Sequence, residues 1–326
     1  MFRKYSKTIV LFVIMITVFA VMSFFLKDKF LSLINFQSIS SQIPEFGLLA
    51  IAVMLAMLTG GIDLSVVSTS NLSGVVAAIV LTSFITEGSS GMQIALVIAL
   101  AILAIIVVSS ICGLINGVLI AYIGVPAILA TLGTMGLYLG IAIVITGGHG
   151  VFGFPEQFLY IGSGTPFNIP VPLIIFVICV LIIALILNKT SYGLSIYMLG
   201  SNPIAARFSG INNNLVLLKT YMISGLLAGM ASLIMISRVN SMRPGYGSAY
   251  LLQAVLVVVL GGLNPSGGFG NISGVIMGII ILQILQSGFN ILAFSPFFKI
   301  FIWGCFLILI MVANNITFKY QERIKH

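Results

Sequence analysis

The chain alternates long apolar runs with short groups of polar residues, glycine and proline. A helix needs about 20 residues to cross roughly 30 Å of hydrocarbon, so the runs can be counted as candidate membrane spans. Ten result, at Thr8 to Leu26, Phe46 to Thr59, Val66 to Thr86, Gln93 to Tyr122, Pro126 to Thr146, Val171 to Asn188, Val216 to Ile236, Ala249 to Leu260, Asn271 to Ala293 and Phe297 to Ala313. The pattern predicts an all-α polytopic membrane protein of one hydrophobic domain over residues 1–326, with short broken helices. The first run follows Arg3, Lys4 and Lys7, as in a secretory signal, but it is too long for one and no small-residue cleavage site follows.

The second and eighth runs are short for a crossing, and each leads into a glycine pair, a polar residue and a new apolar run. The first site reads Gly60-Gly61-Ile62-Asp63-Leu64-Ser65 and later Asn71-Leu72-Ser73-Gly74; the second reads Gly261-Gly262-Leu263-Asn264-Pro265-Ser266 and later Asn271-Ile272-Ser273-Gly274. Matched breaks of this kind are found in transporter folds with internal duplication, although two such breaks can also arise separately. Asp63 is the one acidic residue this count puts away from a span end. An ionisable group at that depth is a functional candidate, but Asp before Leu64 and Ser65 also reads as an N-cap where a helix restarts, and the cap is the simpler reading.

The most polar interior stretch is Asn188 to Asn214, and it contains a compact helix signal. Asn202 can cap free N–H groups, Pro203 has the φ suited to a first helical position, and Gly210 can take a left-handed stop, which predicts a short helix from Pro203 to Ser209. The small Ala205 and Ala206 would let another protein's backbone come close, and Arg207 offers a planar fork for a carboxylate. Both a docking helix and a plain solvated turn fit these residues.

Composition then fixes the solvent. Sixty per cent of the residues are hydrophobic, 6% are charged, and the mean hydropathy is +1.24, a balance that needs a lipid bilayer. The net charge of +8 comes from basic residues scattered at run ends rather than gathered in a stripe, which argues against nucleic acid. An even number of spans puts both termini on one side. That side carries Arg3, Lys4, Lys7, Lys189, Arg207, Lys219, Lys319, Arg323 and Lys325, against Lys27, Lys29, Arg238, Arg243 and Lys299 opposite. The richer side is cytoplasmic by the positive-inside rule, so residues 189–215 form a cytoplasmic loop. The connections Lys27 to Glu45, Gly147 to Pro170 and Ser237 to Ser248 face the other way, where Glu156, Arg238 and Arg243 are candidates for an extracytoplasmic protein contact.

Candidate chemistry is sparse. An ion-driven carrier usually needs several intramembrane carboxylates or histidines, and apart from Asp63 this reading places none; His149 and His326 lie outside the runs. There is no GxxxxGK[ST] phosphate loop, so energy for transport would enter from a partner. Gly148 to Gly153 satisfies GxGxxG, but it follows a span rather than a strand and opens no helix. Cys112, Cys179 and Cys305 have no CxxC or histidine partner and read as buried small hydrophobes. Asn116, Gln253, Gln283, Gln286 and Asn290 bring uncharged polar groups into the runs, which suits interhelical hydrogen bonds or a path for a neutral polar solute.

At this point five segments, GGIDLSV (60–66), VPAILATLGTMGLYLGIAIVITGG (125–148), GSNPIAARFSGI (200–211), SGLLAG (224–229) and VLGGLNPSGGFG (259–270), show that the chain resembles a known family. It is similar to the permease subunits of bacterial ATP-binding-cassette importers in the ribose, xylose, galactose and autoinducer-2 branch. The segments cover most of the chain in the family's order. Leu251-Leu252-Gln253 stand where an acidic residue commonly precedes the apolar run, which leaves the solute open.

The resemblance implies a subunit of the bacterial inner membrane with no cofactor of its own, ATP being bound by a partner. It implies cytoplasmic ATPase subunits, a second permease copy or sister permease, and an extracytoplasmic solute-binding protein. Asn202, Pro203, Ala205, Ala206, Arg207, Phe208, Ser209 and Gly210 would then form the coupling helix to the ATPase. Gly60, Gly61, Asp63, Ser65, Gly261, Gly262 and Asn264 would be candidates for a gate along the path. The expected function is uptake of a small neutral sugar by alternating access. A branched-chain amino-acid permease and an ATPase-independent carrier are the alternatives.

Overall fold

The computed structural model describes the backbone of residues 2–85 and 88–323 and the side chains of residues 8–85 and 88–312. The charges of Arg3, Lys4, Lys7, Lys319, Arg323 and Lys325, together with Thr86 and His326, lie outside the described side chains. The elements in order are α1 (Phe2–Phe30), α2 (Leu33–Leu58), α3 (Val66–Phe84), α4 (Gly91–Ala121), α5 (Ala127–Thr146), β1 (Val151–Phe152), α6 (Glu156–Ser163), α7 (Val171–Lys189), α8 (Ser191–Ser201), α9 (Pro203–Phe208), α10 (Asn213–Val239), β2 (Ser241–Met242), α11 (Ala249–Leu260), α12 (Ile272–Ile291) and α13 (Pro296–Arg323). Among the described residues, eight helices are long and apolar enough to cross a membrane, and α11 and Pro296–Val312 are shorter apolar helices. The ten apolar runs of the sequence therefore all reappear as helices, and the chain is a polytopic all-α membrane protein.

The largest correction concerns α2. It begins at Leu33 and runs 26 residues, about 39 Å at the α-helical rise, so the stretch before Glu45 is helix and not a polar connection, and the second span is not short. Ser32 caps its start by accepting from the Asn35 N–H at 3.2 Å, and Pro44 is accommodated inside. From Pro44 to Leu58 every residue is buried. Over that stretch α2 has no water or lipid face, and it is the axis on which α3, α7, α10, α11 and α12 pack. α1, in contrast, is hardly buried over its apolar window, and α4, α5 and α7 are buried over less than a third of theirs, which is the outer wall that lipid or another subunit covers.

Close approach of α10 to α4 depends on small residues. A methyl group at Gly225 would strike the Ser109 carbonyl and Gly113, and one at Gly113 would strike the Tyr221 carbonyl, so the two backbones meet where side chains are absent. At one end of the bundle β1 pairs antiparallel with β2, Val151 opposite Met242 and Phe152 opposite Ser241. Asn240, at φ 52°, holds that pairing by accepting from the Phe154 N–H at 2.9 Å. The connections Gly147 to Pro170 and Ser237 to Ser248 thus share one end, as the span count predicts. Gly148 to Gly153 contains β1 of this small sheet. Of the cysteines, Cys112 is buried and Cys179 half-buried, but Cys305 is exposed on α13, contrary to the expectation for it.

Candidate functional site

The opposite end of the bundle brings both helix breaks to the foot of α8. The Gly268 N–H donates to the Leu58 carbonyl at 3.0 Å, tying the α11–α12 turn to the end of α2. A β-carbon on Gly267 would lie 2.6 Å from the Gly60 nitrogen, and one on Gly268 would lie 2.7 Å from the Ser201 Cα. Gly200 sits between them, its missing side chain replaced by the Leu58 carbonyl and the Gly268 nitrogen. Gly60 (φ 87°), Gly262 (φ 84°), Gly267 (φ 87°) and Gly268 (φ 74°) are left-handed, a conformation glycine tolerates. Three segments distant in sequence therefore meet backbone to backbone, one residue before α9.

α9 has the predicted caps. The Asn202 Oδ1 accepts from the N–H groups of Ile204 and Ala205, each at 3.0 Å; Pro203 is the first helical residue, Ser209 the C-cap, and Gly210 has φ 81°. The Ser209 hydroxyl turns back onto the Ala205 carbonyl at 3.0 Å. The faces differ from expectation in one respect. Ala206 is buried at 1% exposure, because α9 seats on α8 and α10 through that side, so its small size serves the protein's own packing. The outward face is Ile204 (70% exposed), Ala205, Arg207 and Phe208 (89% exposed), two large apolar side chains one turn apart on a polar loop.

Asp63, 2% exposed, lies between α2 and α3 and is not the N-cap of α3, where Ser65 stands without a capping side chain. Its Oδ1 accepts from the Ser65 N–H at 3.0 Å and the Ser65 hydroxyl at 2.7 Å, and its Oδ2 from the Ser224 hydroxyl of α10 at 2.8 Å. The Asn116 amide donates to Ser65 Oγ at 2.7 Å and accepts from Thr134 at 2.7 Å. The break is thereby knitted to α4, α5 and α10, each donor buried. Gly61 is required beside it, since a β-carbon there would lie 2.5 Å from the Tyr221 hydroxyl and 2.8 Å from the Ala127 methyl. Ser224→Ala, which deprives a buried carboxylate of one donor, is expected to cost about 1–2 kcal/mol. An unchanged unfolding midpoint in detergent would mean that the carboxylate does not need α10.

The second break repeats only the turn. Asn264 Oδ1 accepts from the Ser266 N–H at 3.1 Å as Asp63 does from Ser65, but its pair Gly261–Gly262 places the left-handed residue second rather than first. Beyond the turn the likeness ends. Asn271 caps α12 by accepting from the Gly274 N–H, whereas Asn71 is buried within α3 and donates to the Tyr246 carbonyl.

At the end that holds the β-pair, the structure adds a carboxylate that the sequence reading placed at a helix end. Glu45 is 0% exposed, inside α2, and its Oε1 accepts from Arg238 Nε at 2.5 Å while its Oε2 accepts from the Tyr250 hydroxyl at 2.8 Å. Arg238 is thus paired with Glu45 through Nε while its side chain stays 27% exposed; Glu156 and Arg243 are exposed. Burial and the Glu45 charge push the phenol of the neighbouring loop residue Tyr246 above its usual range. The signal that could have revealed Glu45 is the spacing of Leu33, Phe36, Ile39 and Ile43, which continues the helix upstream of Pro44.

The family described as "Branched-chain amino acid transport system / permease component" matches residues 35–311. The chain belongs to it. This permease component is 33% identical over 314 residues to the ribose import permease protein RbsC of Escherichia coli K12, covering 95% of the chain and 93% of the relative. It is 32% identical over 277 residues to the autoinducer 2 import system permease protein LsrD of Yersinia enterocolitica, covering 83% and 80%. No solved structure matches the permease significantly. It is a transport component of the membrane rather than an enzyme, and the matched region takes in α9, both breaks and the Glu45–Arg238 pair.

Proposed function

We propose that the chain forms the membrane path of a binding-protein-dependent sugar importer driven by a separate ATPase. The observation that carries this reading is α9, a rigidly capped helix that presents Ile204 and Phe208 to water while its root is fused to both helix breaks. Apolar side chains so exposed on a polar loop need a partner, and a partner that moves α9 moves the breaks with it. The cytoplasmic ATPase is that partner in this reading, ATP stays on it, and a second permease copy or a sister permease completes the pathway. Glu156 and Arg243 remain candidates for the extracytoplasmic binding protein.

The relatives that import ribose and autoinducer 2 support a hydroxylated solute, and the family description names the competing class, branched-chain amino acids. Uptake of labelled D-ribose, D-xylose, D-galactose and L-leucine by cells carrying the complete system separates them. Ala205→Glu and Phe208→Asp, on the exposed face of α9, are expected to lower uptake at least tenfold with the protein still in the membrane. Leucine uptake without sugar uptake would overturn the solute class. Normal uptake by both variants, or uptake by the chain alone in liposomes, would overturn the coupling role.

A further inference from the structure

An open cavity of about 260 Å³ lies beside the outer half of α2. Its polar groups come from Gln37, Ser38 and Ser41 of α2, Ser163 and Thr165 at the end of α6, and Arg238, and the rest of its surface is largely apolar. It lies at the end of the bundle that holds the β-pair, away from α9, and it is separate from the Asp63 network.

The hydrogen-bonding state of its lining defines what fits. Arg238 spends Nε on Glu45, and Glu45 is completed by Tyr250, so the guanidinium keeps its terminal N–H donors while its charge is balanced. Ser38 Oγ accepts from the Gln42 amide at 2.7 Å, leaving its own proton to give. The Ser41 hydroxyl donates to backbone carbonyls at 3.0 Å, leaving lone pairs. The side chains of Gln37 and Thr165 make no hydrogen bond among the described residues and offer both functions. Donors and acceptors are interleaved, no acidic side chain lines the space, and its one cation is already paired. An anion would find no unbalanced charge here. An amino acid would find no acidic partner for its ammonium group.

Resting on the sugar-import reading, we propose that this cavity is a resting site for one uncharged polyhydroxylated solute of monosaccharide size, in which Ser38, Gln37, Thr165 and Arg238 bind hydroxyl groups. Each hydroxyl both donates and accepts, which matches the mixed lining, and the volume is below that of typical drug-sized pockets. Glu45 accepts from Arg238 Nε from the buried side.

The test uses the complete transport system in membranes, with Cys179→Ser and Cys305→Ser to remove the accessible thiols and Ser38→Cys as the reporter. A small cationic methanethiosulfonate is added and labelling is read by mass spectrometry, with Phe167→Cys as a reference in an exposed turn outside the cavity. Saturating D-ribose, D-xylose or D-galactose is expected to slow labelling at Ser38→Cys several-fold and to leave Phe167→Cys unchanged. Thr165→Cys serves as a second reporter if Ser38→Cys does not reach the membrane. Protection by L-leucine and not by sugars would overturn the solute class, and a reporter unreactive in every condition would overturn a water-filled site. Sugar uptake by the same membranes without protection at either reporter would overturn the site while leaving the transport reading intact.

Discussion

Arg238→Met is expected to destabilise the protein by about 3–5 kcal/mol, more than any substitution on its surface, because it strands a carboxylate in the interior. Glu45 is wholly buried in α2, and its two partners are Arg238 on α10 and Tyr250 on α11. Removing the guanidinium leaves the Glu45 charge with one phenolic donor and no opposite charge. The double variant Glu45→Gln/Arg238→Met removes the charge as well, and it is expected to recover much of the loss, since an amide oxygen can still accept from Tyr250. Unfolding in detergent can be followed by the fluorescence of the single tryptophan, Trp303, which is 1% exposed. If the single and double variants unfold at the same midpoint, the cost does not come from an unpaired charge. The pair then holds α2, α10 and α11 together by shape alone.

The Glu45 pair also marks the limit of what the chain discloses by itself. Its partners lie 193 and 205 residues away, so no local pattern announces them. Pro44 and the polar residues Gln37 to Gln42 read as a connection because lone polar groups resemble solvent-facing ones. Some of the polar residues of this stretch are instead used inside the bundle, as where Gln42 accepts from Gln283 at 3.2 Å and, just upstream, Asn35 accepts from Ser287 at 2.7 Å. The caps of α9 were legible because Asn202, Pro203 and Gly210 act within a few residues of themselves. Which face of α9 points inward was not legible: six residues carry too little periodicity, and the burial of Ala206 follows from where α8 and α10 happen to stand. Asp63 divides in the same way. Its bond to the Ser65 N–H is local, whereas its bond to Ser224 crosses 161 residues and turns a cap candidate into a tie between helices. The two glycine breaks were visible as a pattern, which either an internal duplication or two separate breaks would produce, but that the two turns meet each other was not legible.

That meeting point gives the second large effect. Gly200→Ala adds one methyl group where the nearest atoms are the Leu58 carbonyl and the Gly268 nitrogen, the two ends of a single 3.0 Å hydrogen bond. Both are backbone, so no rotamer change can relieve the clash; the bond must open or α8 must move away. Overpacking of this kind costs about 1–3 kcal/mol, with about another 1 kcal/mol for a lost hydrogen bond. Transport is expected to suffer more than stability. This contact is the closest backbone tie between the foot of α9 and the turns of α2–α3 and α11–α12, so spreading it apart would loosen the hold of α9 on the helix breaks. Uptake by the complete system is expected to fall at least tenfold while the variant is still inserted in the membrane. Gly91→Ala is the control, because an added β-carbon there meets nothing within 4 Å. If Gly200→Ala transports as well as the control, the breaks and α9 are not one mechanical unit, and motion at α9 must reach the path through α10, the next helix in the chain and one on which α9 also packs.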